Sequence, residues 1–214
     1  MVIFMKESPI LGFYNISVVL TYAGLAAAVL GIFAACGGHG IFALGCLLFS
    51  GVCDMFDGKI ARRTKRSEDA KVFGIQIDSL CDLVSFGVLP AVICQCFFMN
   101  GIFGTVISVL FVLAAVIRLA YFTVTEEKRQ QETNENRKYY QGLPVTSIAL
   151  LLPPVYLVVE QLGKASNAVM TVFMLLVAVL FVANFKIKKP GKIASAVMIV
   201  IGAAIIVCYF VFFR

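Results

Sequence analysis

The chain has 214 residues, 61% of them hydrophobic and only 14% charged, with a mean hydropathy of +0.96. Those values exclude a soluble domain, whose surface must be solvated. Apolar runs long enough to cross about 30 Å of hydrocarbon, roughly 20 residues each, recur from end to end without a gap that would hold a soluble domain. The expectation is one membrane domain over residues 1–214, an all-α polytopic bundle of six to seven spans.

Hydropathy predicts spans near 12–35, 40–58, 73–98, 102–124, 143–160, 167–185 and 193–213. The first follows Met1–Pro9, which carries a single lysine, and is too long for the apolar region of a cleaved secretory leader, so it reads as a retained span. Phe33-Ala34-Ala35-Cys36 is a poor lipoprotein cleavage site because of Phe33 and the length of the run. The single histidine, His39, stands in a Gly-Gly-His-Gly turn, and Cys94-x-Cys96 lacks the second pair a zinc site needs. Seven cysteines lie almost entirely inside apolar runs, where they act as small buried hydrophobes rather than as a disulfide framework.

Charge sorts the loops. Lys59 to Lys71, Lys128 to Lys138 and Lys186 to Lys192 are basic, while the turns around Gly37, Asn100 and Gly163 carry almost no charge. Alternation of this kind is the positive-inside pattern, which predicts a cytoplasmic N-terminus and three cytoplasmic basic loops. The net charge of +6 is then a topology signal and an attraction for anionic headgroups, with no reason to propose nucleic acid as a partner. Residues 125–141 read as a polar loop, mobile or short-helical. Neither a solenoid-length repeat nor inverted half-to-half symmetry is visible, which weakens a transporter reading.

The chemistry concentrates across the second and third spans, where Asp54-Met-Phe-Asp57-Gly58-Lys-Ile-Ala61-Arg62 precedes a basic spacer and Gly74-Ile-Gln-Ile-Asp78-Ser-Leu-Cys-Asp82. On helices, Asp54 and Asp57 are three apart and Asp78 and Asp82 four apart, so each pair presents its carboxylates from one face. Four anions at the end of a span are unfavourable by several kcal/mol unless neutralised, and a divalent cation or two is the simplest counter-charge. Oxygen ligands without His or Cys select magnesium, manganese or calcium over zinc, and magnesium or manganese suits phosphoryl chemistry. Gly58 and Ala61 leave a shallow groove that a flat nucleotide could enter, although small residues also simply let membrane helices approach. Arg62 offers a planar fork of donors to a diphosphate.

These residues resemble the CDP-alcohol phosphatidyltransferase family, whose signature is D-x-x-D-G-x-x-A-R, a spacer, then G-x-x-x-D-x-x-x-D. Every fixed position is present, with an eleven-residue spacer from Arg63 to Phe73. The resemblance implies that Asp54, Asp57 and Asp78 hold Mg2+ or Mn2+, two ions in all, with Asp82 completing the acidic ligand set and acting as general base. It implies that Asp54, Asp57, Gly58, Ala61, Arg62 and Gly74 line the CDP site, that CDP-diacylglycerol or a related CDP-lipid is the donor, and that the protein is a homodimer, while the charge of the loops predicts an active site at the cytoplasmic face of the cell membrane.

Beyond that signature, Asp78-Ser-Leu-Cys-Asp82-Leu-Val-Ser-Phe-Gly-Val-Leu-Pro90, Arg118-Leu-Ala-Tyr-Phe-Thr and Tyr140-Gln-Gly-Leu-Pro144 are similar to stretches of the serine-accepting branch, the phosphatidylserine synthases. At the N-terminus the likeness shrinks to Asn15. L-serine is therefore the expected acceptor. Glycerol 3-phosphate and inositol phosphate are the rivals, since Arg63, Lys65 and Arg66 could meet an acceptor phosphate. Arg118, inside an apolar run, either snorkels to the interface as a structural residue or binds an anion such as the acceptor's carboxylate or a lipid phosphate. A cation channel or transporter would spread its carboxylates through the bilayer depth, whereas these gather at one end.

Overall fold

The structure, a computed structural model, describes residues 12–61, 67–132 and 139–188. Helix α1 (Ile16–Cys36) begins where Asn15, in an extended conformation, accepts the N–H of Val18 at 3.1 Å, a side-chain cap for one of the orphan donors of the first turn. It ends at Gly37, and Gly38 at φ +83° reverses the chain into α2 (Gly40–Ala61). The two helices pack through small residues. Ser17, Thr21, Gly24, Ala28, Gly31 and Ala35 recur at three- and four-residue steps on the buried face of α1. A Cβ on Gly24 would lie 3.1 Å from the Cβ of Cys53, and one on Gly31 2.9 Å from the Cβ of Cys46. Ser50 Oγ donates to the Gly24 carbonyl at 2.8 Å. Close backbone approach with an interhelical polar bond is how helices associate where lipid removes the hydrophobic driving force.

Helix α3 (Glu68–Asp82) starts earlier than hydropathy predicts because Ser67 caps it, accepting the N–H of Ala70 at 3.3 Å, and Glu68 and Asp69 complement the positive end of the helix. It passes through a π-helical segment, Leu83–Val88, into α4 (Leu89–Phe97). The N–H of Leu89 bonds the Val84 carbonyl five residues back. Pro90 explains the wider turn: it has no N–H for the Phe86 carbonyl and its ring would press on that oxygen, so one extra residue is accommodated there.

Helix α5 (Gly101–Glu132) runs past its expected end at residue 124. Glu126 pairs with Arg129, and Gln76 of α3 donates to Glu127 at 2.8 Å, so part of the polar run expected as a loop continues as helix. A 3-10 turn, Val145–Ser147, leads into α6 (Ile148–Glu160), and α7 (Ser166–Val182) follows. The expected span from 143 starts late because Gly142-Leu143 is engaged elsewhere: the Gly142 N–H donates to the Phe185 carbonyl at 2.6 Å and the Leu143 N–H to that of Leu180 at 3.2 Å. Gly142 has φ +70°, and a Cβ there would stand 2.7 Å from the Ala183 oxygen, so glycine is required.

The helical bundle carries one addition to the all-α expectation. Strand β1 (Tyr139–Gln141) pairs antiparallel with β2 (Lys186–Lys188), with Tyr140 opposite Ile187. The ribbon pairs the residues that follow the second basic loop with the first residues of the third. Five helical stretches, Ile16–Cys36, Gly40–Ala61, Glu68–Phe97, Gly101–Arg129 and Gly163–Val182, are long and apolar enough to cross a membrane, and Val145–Glu160 is a shorter apolar helix. The chain is a multi-pass membrane protein. The expected seventh span, 193–213, lies outside the described residues. Phe86, Leu89, Phe111, Ile148, Met174 and Phe181 are among the fully buried side chains at the centre of the bundle.

Candidate active site

The carboxylates of Asp54, Asp78 and Asp82, all half-buried, each offer an oxygen within 4.8 Å of the others. Asp78 and Asp82 converge because they are one turn apart on α3. That helix is held beside α5 by a 2.7 Å bond between the hydroxyls of Ser79 and Thr123, and Thr123, itself buried, donates to the Leu119 carbonyl at 3.0 Å. Asp54 comes from the last turns of α2.

Asp57 takes a different course. It is 4% exposed and accepts a 2.7 Å hydrogen bond from Thr21 of α1 through Oδ2. Residues three apart on a helix are separated by roughly 60° around the axis, enough for Asp54 to face α3 while one oxygen of Asp57 faces α1. Asp57 nevertheless lies within electrostatic reach of both Asp54 and Asp82.

The three clustered carboxylates open on a cavity of about 140 Å³, whose wall also includes Arg118, Phe122, Val145 and Thr146. Arg118 is buried at 6% exposure. Its Nε donates to the Leu143 carbonyl at 3.2 Å, so α5 holds the Gly142–Thr146 segment that closes the opposite wall. Burial and this bond argue against a guanidinium that simply snorkels into water.

The remaining predicted residues fall around this centre. Gly58 faces open space, with nothing within 4 Å of where a Cβ would be. Ala61, the last residue of α2, and Gly74, on α3, are both half-buried. Arg62 lies outside the described residues, as do Arg63, Lys65 and Arg66. Thr21, Phe122 and Thr146 belong to the site and were not singled out by sequence. Thr21 stands in an apolar helix with no motif around it, and only the packing of α1 on α2 brings it to Asp57.

The donor set suits a hard divalent cation. Three carboxylates this close repel one another strongly unless a cation sits among them, and a set of carboxylate oxygens matches magnesium or manganese better than zinc. The group can therefore hold a metal ion.

Comparison with known proteins agrees with this geometry. Residues 14–183 match the model of the family described as CDP-alcohol phosphatidyltransferase. The chain belongs to that family. The family match takes in the α1 segment carrying Thr21, the four aspartates, Arg118 and the Gly142–Thr146 wall. Among curated relatives, the chain is 40% identical over 111 residues to a CDP-diacylglycerol--serine O-phosphatidyltransferase of Saccharomyces cerevisiae, covering 50% of this chain and 39% of that protein. Proteins of the same name from Helicobacter pylori and Methanocaldococcus jannaschii are 31% and 30% identical, over 71% and 66% of this chain and 63% and 62% of theirs. The chain thus spans between 39% and 63% of the length of these relatives.

Proposed function

We propose that the protein transfers the phosphatidyl group of CDP-diacylglycerol to L-serine, giving phosphatidylserine and CMP, with Mg2+ or Mn2+ as two bound ions. The observation that carries this reading is the meeting of Asp54, Asp78 and Asp82 on one cavity with a buried arginine, Arg118, in its wall. The names of the curated relatives support serine as acceptor.

Asp54, Asp57, Asp78 and Asp82 would hold the ions, which when bound withdraw charge from the diphosphate and the departing CMP. Gly58, Ala61 and Gly74 would line the approach of the CDP moiety, Gly58 leaving space for it to reach the backbone, and Arg62, outside the described residues, would meet its diphosphate. Asp82 accepts the proton of the serine hydroxyl as that oxygen attacks the lipid-bearing phosphorus. The new O–P bond forms as the P–O bond to CMP breaks, by direct attack with inversion. Arg118 supplies a positive charge for the serine carboxylate. Among the described residues lining the cavity it is the one cation, which favours a singly charged acceptor group over the phosphates of glycerol 3-phosphate or inositol phosphate.

The reading places the site at the cytoplasmic face of the cell membrane and the protein in a homodimer. The basic loops Lys59 to Lys71, Lys128 to Lys138 and Lys186 to Lys192 support the orientation. Purified protein supplied with CDP-diacylglycerol, manganese and a panel of labelled alcohols should release CMP with serine alone. Release with glycerol 3-phosphate instead would move the acceptor, and no release with any alcohol would overturn the transferase reading.

A further inference from the structure

Helix α1 carries none of the aspartates, yet it reaches the acidic site through one hydroxyl. Thr21 Oγ1 stands 2.7 Å from Asp57 Oδ2 and 3.0 Å from the Ser17 carbonyl one turn back. A hydroxyl has one proton to give. The Ser17 carbonyl already receives the helical N–H of Thr21, and the carboxylate bond is shorter and charge-assisted, so the proton goes to Asp57. Both side chains are buried, Thr21 at 8% and Asp57 at 4% exposure, so water does not offer the carboxylate an equivalent donor there.

The α1–α2 packing sets this distance. Gly24 lies one turn beyond Thr21 on α1, and its missing side chain leaves room for Cys53, one turn before Asp57 on α2. On the same face, Ser50 fastens α2 to the Gly24 carbonyl. At the N-terminal end of α1, Ser17 Oγ donates to the capping Asn15 Oδ1 at 2.5 Å, so the turn bearing Thr21 is itself anchored.

We infer that Thr21 is a positioning residue for the metal site: by holding Oδ2 of Asp57, beside the backbone hydrogen bond from Gly58, it fixes the direction in which the carboxylate's remaining lone pairs meet a cation shared with Asp54, Asp78 and Asp82. This rests on the proposed ligand role of Asp57. Hydrogen-bond partners that orient metal-binding carboxylates typically govern affinity by 10–100-fold.

Manganese titration of the purified full-length protein in detergent, with free Mn2+ read by electron paramagnetic resonance, tests this without recourse to turnover. Thr21→Val keeps the shape and removes the donor, and should weaken manganese binding by about 10–100-fold. Thr21→Ser keeps the donor and should bind within about threefold of the parent. Parent-like affinity in Thr21→Val while Asp57→Asn binds weakly overturns the positioning role and leaves Asp57 as ligand. Equal weakening in Thr21→Val and Thr21→Ser also overturns it, since packing rather than the hydroxyl would then be responsible. Parent-like binding in Asp57→Asn removes the ligand role and the inference with it.

Discussion

The two ends of the bundle are built from different materials. At one end, side chains and strands hold the helices by hydrogen bonds: Thr21 to Asp57, Ser79 to Thr123, Gln76 to Glu127, Arg118 to Leu143, and the β1–β2 ribbon beyond them. At the other, tight turns at Gly38 and Gly101 and edge-to-face packing of Phe97 and Phe98 on Tyr156 do the same work. Polar bonds are fewer there among the described residues: Asn167 donates to the Asn100 carbonyl, and Gln95 of α4 donates to Thr105 and accepts from Ser108 of α5. Polar bonds that cross between helices fix directions as well as distances, and an acidic centre needs both. The far end, with no charged centre to orient, rests more on close packing.

The first way to break this contrast is at the proposed base. Asp82→Asn preserves shape and an oxygen for the cluster but cannot take a proton, so turnover should fall by about 10²–10⁴-fold while the KM for CDP-diacylglycerol changes little. A variant that keeps more than a tenth of parental turnover would remove Asp82 from that role. The same substitution should not lower the thermal midpoint, because the cluster's like charges oppose folding and removing one relieves that repulsion.

Arg118→Lys comes next. Lysine keeps a positive charge but loses the planar fork and the Nε bond to Leu143 that props the Gly142–Thr146 wall. The KM for serine should rise by about tenfold or more, equivalent to roughly 1.4 kcal/mol, with the KM for CDP-diacylglycerol unchanged. A parallel rise in both constants would mean that the arginine serves the cavity as a whole and not the acceptor.

At the opposite end, Gly40→Ala sharpens the comparison. Its Cβ would fall 2.2 Å from the Tyr156 hydroxyl oxygen and 3.0 Å from the Phe97 ring, so Tyr156 must move within a packed aromatic group. Overpacking of this sort costs about 1–3 kcal/mol, which a thermal or denaturant melt in detergent will register. The folded fraction should retain the parent's kcat/KM. Loss of kcat/KM without loss of stability would show that the ends are coupled.

The same contrast explains how much the sequence disclosed. Spans are legible because twenty-residue apolar runs have little other use, and Asp54, Asp78 and Asp82 are legible because helical spacing and unneutralised charge point to one centre. The bond of Asp57 to α1 depends on how α1 meets α2, a tertiary fact that spacing within α2 does not contain. The π-helical segment after Asp82 is hidden for a related reason: Pro90 announces a disturbed turn, but whether the helix kinks, stops or widens is decided by the neighbours of Phe86 and Gly87. The ribbon pairs residues 139–141 with 186–188, a separation at which three-residue strands leave no periodicity to read.

The smallest effect expected is on the outer face of α5, where Val106, Val109, Leu113, Val116 and Ile117 are exposed along the helix. Hydrocarbon tails are as apolar as these side chains, so exchanging one aliphatic group for another on a lipid-facing surface changes neither solvation nor packing appreciably. Val109→Leu, at a position 54% exposed, should shift stability by less than about 0.5 kcal/mol and leave turnover and particle size in detergent as they are. If size-exclusion chromatography with light scattering instead shows the variant dissociating, that face is covered by a second copy and not by lipid. The proposed homodimer would then have a location, and the contrast between a bonded end and a packed end would extend to a third surface, one that is packed between chains.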